Sequence, residues 1–219
     1  MILALLLFGG TIEASLQAQT NSVPLEIFRF PLTQESYPRF NELCSRLSSH
    51  PVIKGTFERT KTISSLNRSL LSKGAFIIAK NYGIVWETLD PFPSTLAMGK
   101  NYLVQSDPTG RKTRLDAAGN ETFLRLADTI SAVFSGDSQK LTANFQTFFA
   151  ENAGTWTIGL VPRESSVRSF AATIAMSGDS VIRSIMIYEQ NGDKIHYRLT
   201  NHTFPGALTA GEISLFAAQ

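Results

Sequence analysis

The residue types that most often carry catalysis are few in this chain and stand apart from one another. The three histidines, His50, His196 and His202, form no pair at the spacing with which one helix or strand holds a metal ion. Cys44 is the only cysteine, so neither an internal disulfide nor a cysteine-rich metal site can form. The chain also lacks the G-x-S-x-G, P-loop and G-x-G-x-x-G motifs. We therefore expect a protein that is not an enzyme and that uses neither a cofactor nor a metal.

One polar motif, the tetrapeptide S-G-D-S, occurs at residues 135–138 and again at residues 177–180. A calcium loop needs more oxygen ligands than either copy supplies. The repeat therefore predicts two turns and no cation site.

Large apolar side chains are the chemistry that the sequence offers instead, with 15 Phe, 5 Tyr and 2 Trp. Such a composition is typical either of a dense core or of a cavity that holds an apolar ligand. The residues alone leave both possibilities open. Nine large apolar residues on predicted strands are candidates for lining one concave face: Phe57, Phe76, Ile78, Trp86, Leu96, Met98, Trp156, Ile158 and Met176.

The elements that must position these residues are mostly strands. From Val52 onward apolar and polar residues alternate with a period of two, which predicts half-buried antiparallel strands. Residues 83–99 predict two strands around the corner Asp90-Pro91-Phe92-Pro93, because proline donates no N–H to a ladder. Asn191-Gly192-Asp193 predicts a tight hairpin. An antiparallel meander of this many strands has to curl or close.

Helical periodicity occurs in two places. Apolar residues recur at spacings of three and four over residues 37–47, after Ser36 as a candidate N-cap and with Pro38 in the first turn. Residues 121–134 predict a central helix by the same criterion. The tail at residues 204–216 is predicted as loop with one short edge strand. The sequence thus indicates a mainly β fold of the α+β class, with helices that cap one concave face.

The first 18 residues have the order of a secretory signal. An apolar run at residues 2–8 is followed by small residues up to a cleavage site near Ala18. The alternative is a buried N-terminal strand. Residues 19–219 are then a single domain with no second run of membrane length. The formal net charge of the whole chain is +2, and its basic residues are spread along the sequence, which argues against nucleic-acid binding.

A series of short motifs follows the predicted strands in order. They are Phe57-x-Arg59, G-x-F-x-I at residues 74–78, Gly83-Ile84-Val85-Trp86-Glu87 with Pro91, Phe134-Ser135-Gly136-Asp137, Trp156-x-Ile158-x-Leu160-x-Pro162, and Ile185-x-Ile187-x-Glu189-x-Asn191-Gly192-Asp193. In this order and spacing the chain resembles the periplasmic outer-membrane lipoprotein carriers, the LolA-like family, over residues 37–200. The resemblance implies an unclosed antiparallel half-barrel with an N-terminal helix and a central helical lid over an apolar cavity.

The resemblance also implies a function without covalent chemistry. Such a monomeric carrier takes a lipoprotein from an inner-membrane exporter, shields its acyl chains in the periplasm and passes it to an outer-membrane acceptor. The best-known carriers have an Arg-Pro pair six residues before the strand Trp, and that Arg tethers the lid. Here Lys80 takes this place, so the positive charge is kept, but the planar guanidinium that can bind two acceptors at once (its donor fork) is lost. Lys80, Phe123 and Ile130 are the predicted lid contacts.

Two functions remain open at this point. The first is a periplasmic carrier that binds the acyl chains of a lipoprotein or of another acylated lipid. The alternative is a non-enzymatic envelope binding or sensor module on the same fold. Enclosed apolar volume under the helices favours the carrier, and a filled half-barrel favours the module. A Ser or Asp beside a His favours an enzyme.

Overall fold

A computed structural model describes residues 25–99, 102–116 and 136–216. The predicted signal sequence at residues 1–18 and the predicted central helix at residues 121–134, with Phe123 and Ile130, lie outside the described residues. Within the described ranges, no helix is long and apolar enough to cross a bilayer.

The described residues form one antiparallel sheet of eleven strands. Its strands are β1 (Val52–Ile63), β2 (Arg68–Ala79), β3 (Gly83–Asp90), β4 (Ser94–Met98), β5 (Tyr102–Ser106), β6 (Lys112–Asp116), β7 (Phe145–Asn152), β8 (Thr155–Pro162), β9 (Thr173–Gly178), β10 (Ile182–Tyr188) and β11 (Lys194–Thr203). Their order is β6-β5-β4-β3-β2-β1-β11-β10-β9-β8-β7. The first and last strands of this order, β6 and β7, are the two edges. The sheet is therefore unclosed, which confirms the predicted fold class.

Strand register places the predicted apolar residues on one face. Phe76 of β2 pairs with Trp86 of β3, and Trp86 pairs with Leu96 of β4. In the other half of the sheet, Ile158 of β8 pairs with Met176 of β9. Directly paired residues point to the same side of a sheet. We call this side the inner face and the opposite side the outer face.

Within the described ranges, four short helices accompany the sheet. They are α1 (Tyr37–Leu47), α2 (Ser138–Asn144), α3 (Ser165–Arg168) and α4 (Ala210–Phe216), with 3-10 turns at Leu25–Arg29 and Ser64–Leu66. Helix α1 follows Ser36 and carries a proline in its first turn, as predicted. Its buried residues Phe40, Leu43 and Cys44 belong to the apolar cluster of the inner face. Helix α1 therefore covers part of that face.

Helix α4 corrects the prediction for the C-terminal tail, which is helical and not an edge strand. Thr209 and Glu212 form a capping box, because the Glu212 N–H donates to the Thr209 hydroxyl and the Thr209 N–H donates to the Glu212 carboxylate. Lys54 of β1 also pairs with Glu212. Phe216 is buried on the outer face against Val52 and its neighbours.

Residues 25–32 protect the edge strand β7. The Leu32 N–H donates to the Thr147 carbonyl at 2.9 Å, and the Phe149 N–H donates to the Phe30 carbonyl at 3.0 Å. Ile27 is buried on the outer face beside Phe148. An unpaired edge invites association with other chains, so this segment stabilises one open side of the sheet.

Candidate functional site

The nine residues that the sequence predicts as cavity lining lie together on the inner face. Seven are buried members of one apolar cluster: Phe57, Phe76, Trp86, Met98, Trp156, Ile158 and Met176. The other two, Ile78 and Leu96, are half-buried and pack against the same cluster. The cluster spans both halves of the sheet, so the strands assemble one contiguous apolar surface.

Trp86 is the centre of an aromatic stack within this surface. Its ring lies 4.8 Å from the Phe57 ring and 5.5 Å from the Phe76 ring, and both pairs are nearly parallel. Tyr197 of β11 meets Trp86 edge-on at 5.2 Å. Trp86 therefore points to the inner side with Phe57 and Phe76, as its strand position predicts. Such aromatic contacts stabilise a fold beyond the area that they bury.

Two glycines make room for the stacked rings. Gly55 of β1 pairs with Phe76 of β2, and Gly74 of β2 pairs with Phe57 of β1. In each pair, a glycine therefore lies opposite a phenylalanine ring of the neighbouring strand. A Cβ on either glycine would lie 2.7 Å from that ring, and a Cβ on Gly74 would also lie 1.9 Å from the Glu87 carbonyl oxygen. The signal for this arrangement is the repeated G-x-F motif of β1 and β2.

Trp156 of β8 and helix α1 stabilise the other half of the inner face, which contains β8 and β9. The Trp156 indole N–H donates to the Asp179 carbonyl at 2.6 Å, and the ring is only 1% exposed. Cys44 of α1 is buried in the same cluster. Burial, aided by the nearby Asp137 carboxylate, raises the pKa of the Cys44 thiol to about 12. This thiol is a packing group and not a nucleophile.

Arg59 sets a positive charge on the inner face, two residues beyond Phe57 on β1. Its Nη1 donates to the Ser72 hydroxyl at 3.4 Å. Its Nε and Nη2 are shielded from solvent and have no hydrogen-bond partner in the described part of the chain. Burial raises the pKa of the Tyr197 phenol, and the neighbouring Arg59 opposes that rise.

Arg59 lines a cleft that has a volume of about 30 Å³. The residues that line this cleft, called the Arg59 cleft below, are Arg59, Trp86, Thr88, Ser94, Thr95, Leu96, Gln105 and Tyr197. Such a volume holds about one water molecule.

The second cleft also has a volume of about 30 Å³ and is largely apolar. Its lining includes Phe76, Ile78, Leu199 and His202, and His50 and Phe204 stack at its mouth. Burial, followed by the charge of Arg183, lowers the pKa of His202. Ligand pockets usually measure about 300–1,000 Å³. Both clefts are far smaller, so neither is a ready pocket for such a ligand.

The chain matches the family model of the outer membrane lipoprotein carrier protein LolA over residues 48–215. The chain belongs to the LolA family. The match covers all eleven strands, so it includes the whole sheet that carries the inner face. No curated protein matches the chain at a significant level.

Solved structures resemble this LolA-family chain at low sequence identity. The LolA superfamily protein NE2245 from Nitrosomonas europaea is 10% identical with a TM-score of 0.46, over 80% of this chain and 96% of that one. A DUF1329 family protein from Desulfovibrio piger is 7% identical with a TM-score of 0.46, over 80% and 96%. MucB in the MucA/MucB complex of Pseudomonas aeruginosa is 11% identical with a TM-score of 0.36, over 82% and 60%. At TM-scores below 0.5 these likenesses carry no information on ligand or partner.

Lys80, at the position of the tethering Arg in the best-known LolA carriers, lies in the turn after β2. Its side chain is exposed, and its backbone N–H donates to the Pro51 carbonyl at 3.1 Å. The other predicted lid contacts, Phe123 and Ile130, lie outside the described residues, so the lid tether stays a prediction.

A Ser–His pair occurs on the outer face, away from both clefts. The Ser184 hydroxyl lies 2.9 Å from His196 Nε2. Burial, together with the charge of Arg198, lowers the pKa of His196. The described residues place no carboxylate on the other imidazole nitrogen, and they bring no group of three or more metal-ligating side chains together. A catalytic triad needs that third group, so this pair lacks the geometry of a triad.

Proposed function

We propose that this LolA-family protein carries acyl chains of a lipoprotein, or of another acylated lipid, on its inner face. The observation that supports the proposal is the contiguous apolar surface built by both halves of an unclosed sheet. Burial of an acyl chain contributes about 0.8 kcal/mol for each CH₂. An apolar surface is therefore sufficient to hold cargo, and the proposed activity is not enzymatic.

Loading requires the packed inner face to open. Neither cleft has room for an acyl chain, and α1 occupies the inner face through Phe40, Leu43 and Cys44. We propose that α1 moves away from the sheet when cargo enters, so that acyl chains take the place of Phe40, Leu43 and Cys44 in the apolar cluster. The predicted lid contacts of Lys80, Phe123 and Ile130 belong to the same opening step.

The proposal places the protein in the periplasm as a monomer, after removal of residues 1–18. It receives cargo from an inner-membrane exporter and delivers it to an outer-membrane acceptor. Membership of the LolA family supports this assignment, since the family is that of the outer membrane lipoprotein carrier protein LolA.

Native mass spectrometry of the protein purified from the periplasm tests the proposal. We expect a bound species whose mass is that of an acylated molecule, and organic extraction should release its fatty acids. If the purified protein neither carries nor takes up any acylated ligand, the carrier function is wrong.

A second candidate is a binding or sensor module that recognises a partner protein through the same fold. The small volume of both clefts favours it, because a packed half-barrel offers a stable surface and not a ready cavity. The two candidates differ in stoichiometric lipid binding, which only the carrier requires.

A further inference from the structure

We propose that the Arg59 cleft, once the inner face has opened for cargo, is an anion site that binds the phosphate group of an acyl lipid. The inference deepens the proposed carrier function and rests on it, because it specifies the headgroup of the cargo. Neither the family match nor the predicted lining residues assign a role to Arg59.

The first argument is the incomplete pairing of the guanidinium. Nη1 donates to Ser72 at 3.4 Å and the guanidinium also makes a hydrogen bond with the Tyr197 phenol, while Nε and Nη2 are buried without a partner among the described residues. A buried cation is costly unless an anion or hydrogen-bond acceptors compensate it. The free Nε and Nη2 are two adjacent donors of the planar fork that binds phosphate or carboxylate oxygens.

The second argument is the chemistry of the lining. Thr88, Ser94 and Tyr197 contribute hydroxyl groups, and Gln105 contributes an amide, all able to donate to an oxyanion. No carboxylate is among the lining residues of this cleft. A guanidinium surrounded by several neutral donors suits a group with several charged oxygens, which favours phosphate over a neutral ester.

The third argument is the position of the cleft on the apolar surface. Trp86 and Leu96 line the Arg59 cleft and also belong to the cluster of the inner face. If the anionic group of a ligand lies at Arg59, the atoms bonded to that group would therefore contact the aromatic stack. This juxtaposition of one charge and a continuous apolar surface matches an amphiphile, and not an anion alone.

Binding of two lipids with identical acyl chains tests the proposal. Phosphatidic acid carries the phosphate, and diacylglycerol lacks it. We expect the wild-type protein to bind phosphatidic acid at least about tenfold more tightly, since hydrogen bonds to charged groups contribute about that factor. Arg59→Met should abolish the preference, so that the two lipids bind with similar affinity. Arg59→Lys should retain only part of it, because the fork is lost.

Arg198→Met is the matched control. Arg198 is an exposed arginine of β11 that pairs with Glu58 on the outer face. We expect it to leave the lipid preference intact. Thermal unfolding without lipid shows whether Arg59→Met folds, and we expect its Tm not to fall, because the variant removes an uncompensated cation.

The outcomes separate this inference from the carrier function. Equal binding of both lipids by the wild type overturns the anion site and leaves the carrier in place. Binding of neither lipid overturns both. Inorganic phosphate alone distinguishes the source of the anion: if it raises the Tm as far as phosphatidic acid does, the site takes free phosphate and the lipid headgroup assignment is wrong.

Discussion

Two glycines opposite two phenylalanines show how single residues shape the inner face. The G-x-F motif is visible in the sequence, but its meaning depends on register, because Gly55 and Gly74 face rings from the neighbouring strand. The common face of the nine candidate residues was predictable for a simpler reason, since alternation along a strand fixes the face of each side chain. The proposed role of Arg59 was not predictable, because the surroundings of its side chain are set by Ser72 and Tyr197, which lie opposite it on the two adjacent strands.

Gly74→Ala tests the close packing of the stack. The new methyl group would overlap the Phe57 ring and the Glu87 carbonyl, so we expect the free energy of unfolding to fall by about 1–3 kcal/mol. Urea unfolding measures the change. Gly211→Ala is the control, because a Cβ at that site of α4 meets nothing within 4 Å. Equal stability of Gly74→Ala and wild type would show that the ring pairs are loosely packed.

Trp86→Ser tests the centre of the stack. Loss of the indole leaves a cavity between Phe57 and Phe76, so we expect a cost of about 3–5 kcal/mol in the free energy of unfolding. Binding of an apolar fluorophore should weaken as well. Leu89→Ser changes an exposed residue of the same strand and should leave both quantities near wild type. Unchanged fluorophore binding by a folded Trp86→Ser protein would remove this residue from the ligand surface.

At the scale of elements, the strands were predictable from the alternation of apolar and polar residues. Helix α1 was predictable from its apolar residues at spacings of three and four and from the proline in its first turn. Helix α4 was missed because its seven residues are too few for a periodic signal, and the Thr209-x-x-Glu212 capping box is its clearest mark. Helix α4 lies on the outer face and is therefore separate from α1, the helix that the proposed loading step displaces.

Cys44 provides a native probe of that movement. The thiol is 1% exposed and its pKa is raised to about 12, so we expect slow modification by a maleimide at pH 8 in the empty protein. Saturation with an acyl ligand should accelerate the modification if α1 leaves the sheet. As a control, Ser45→Cys in a Cys44→Ser background places an exposed thiol on the same helix and should react quickly in both states. Slower or equal modification of Cys44 in the loaded protein would show that α1 stays in place.

At the scale of the whole molecule, the β1–β11 pairing joins two meanders into one sheet whose edges remain apart. This architecture was predictable because every strand pairing except β1–β11 joins strands that are consecutive in the sequence. The packing of the inner face was not predictable, because cavity volume depends on how rings from many strands fill the same space. That volume is what separates a carrier from an interaction module.

Extraction of lipid from vesicles is the measurement that tests the carrier function most directly. Vesicles with a labelled acyl lipid are mixed with the protein and removed by sedimentation, and the label that stays with the soluble protein is counted. The proposed function predicts saturable extraction that approaches one lipid for each protein, and Trp86→Ser should extract less. If all of the label sediments with the vesicles at every protein concentration, the protein does not carry acyl lipids.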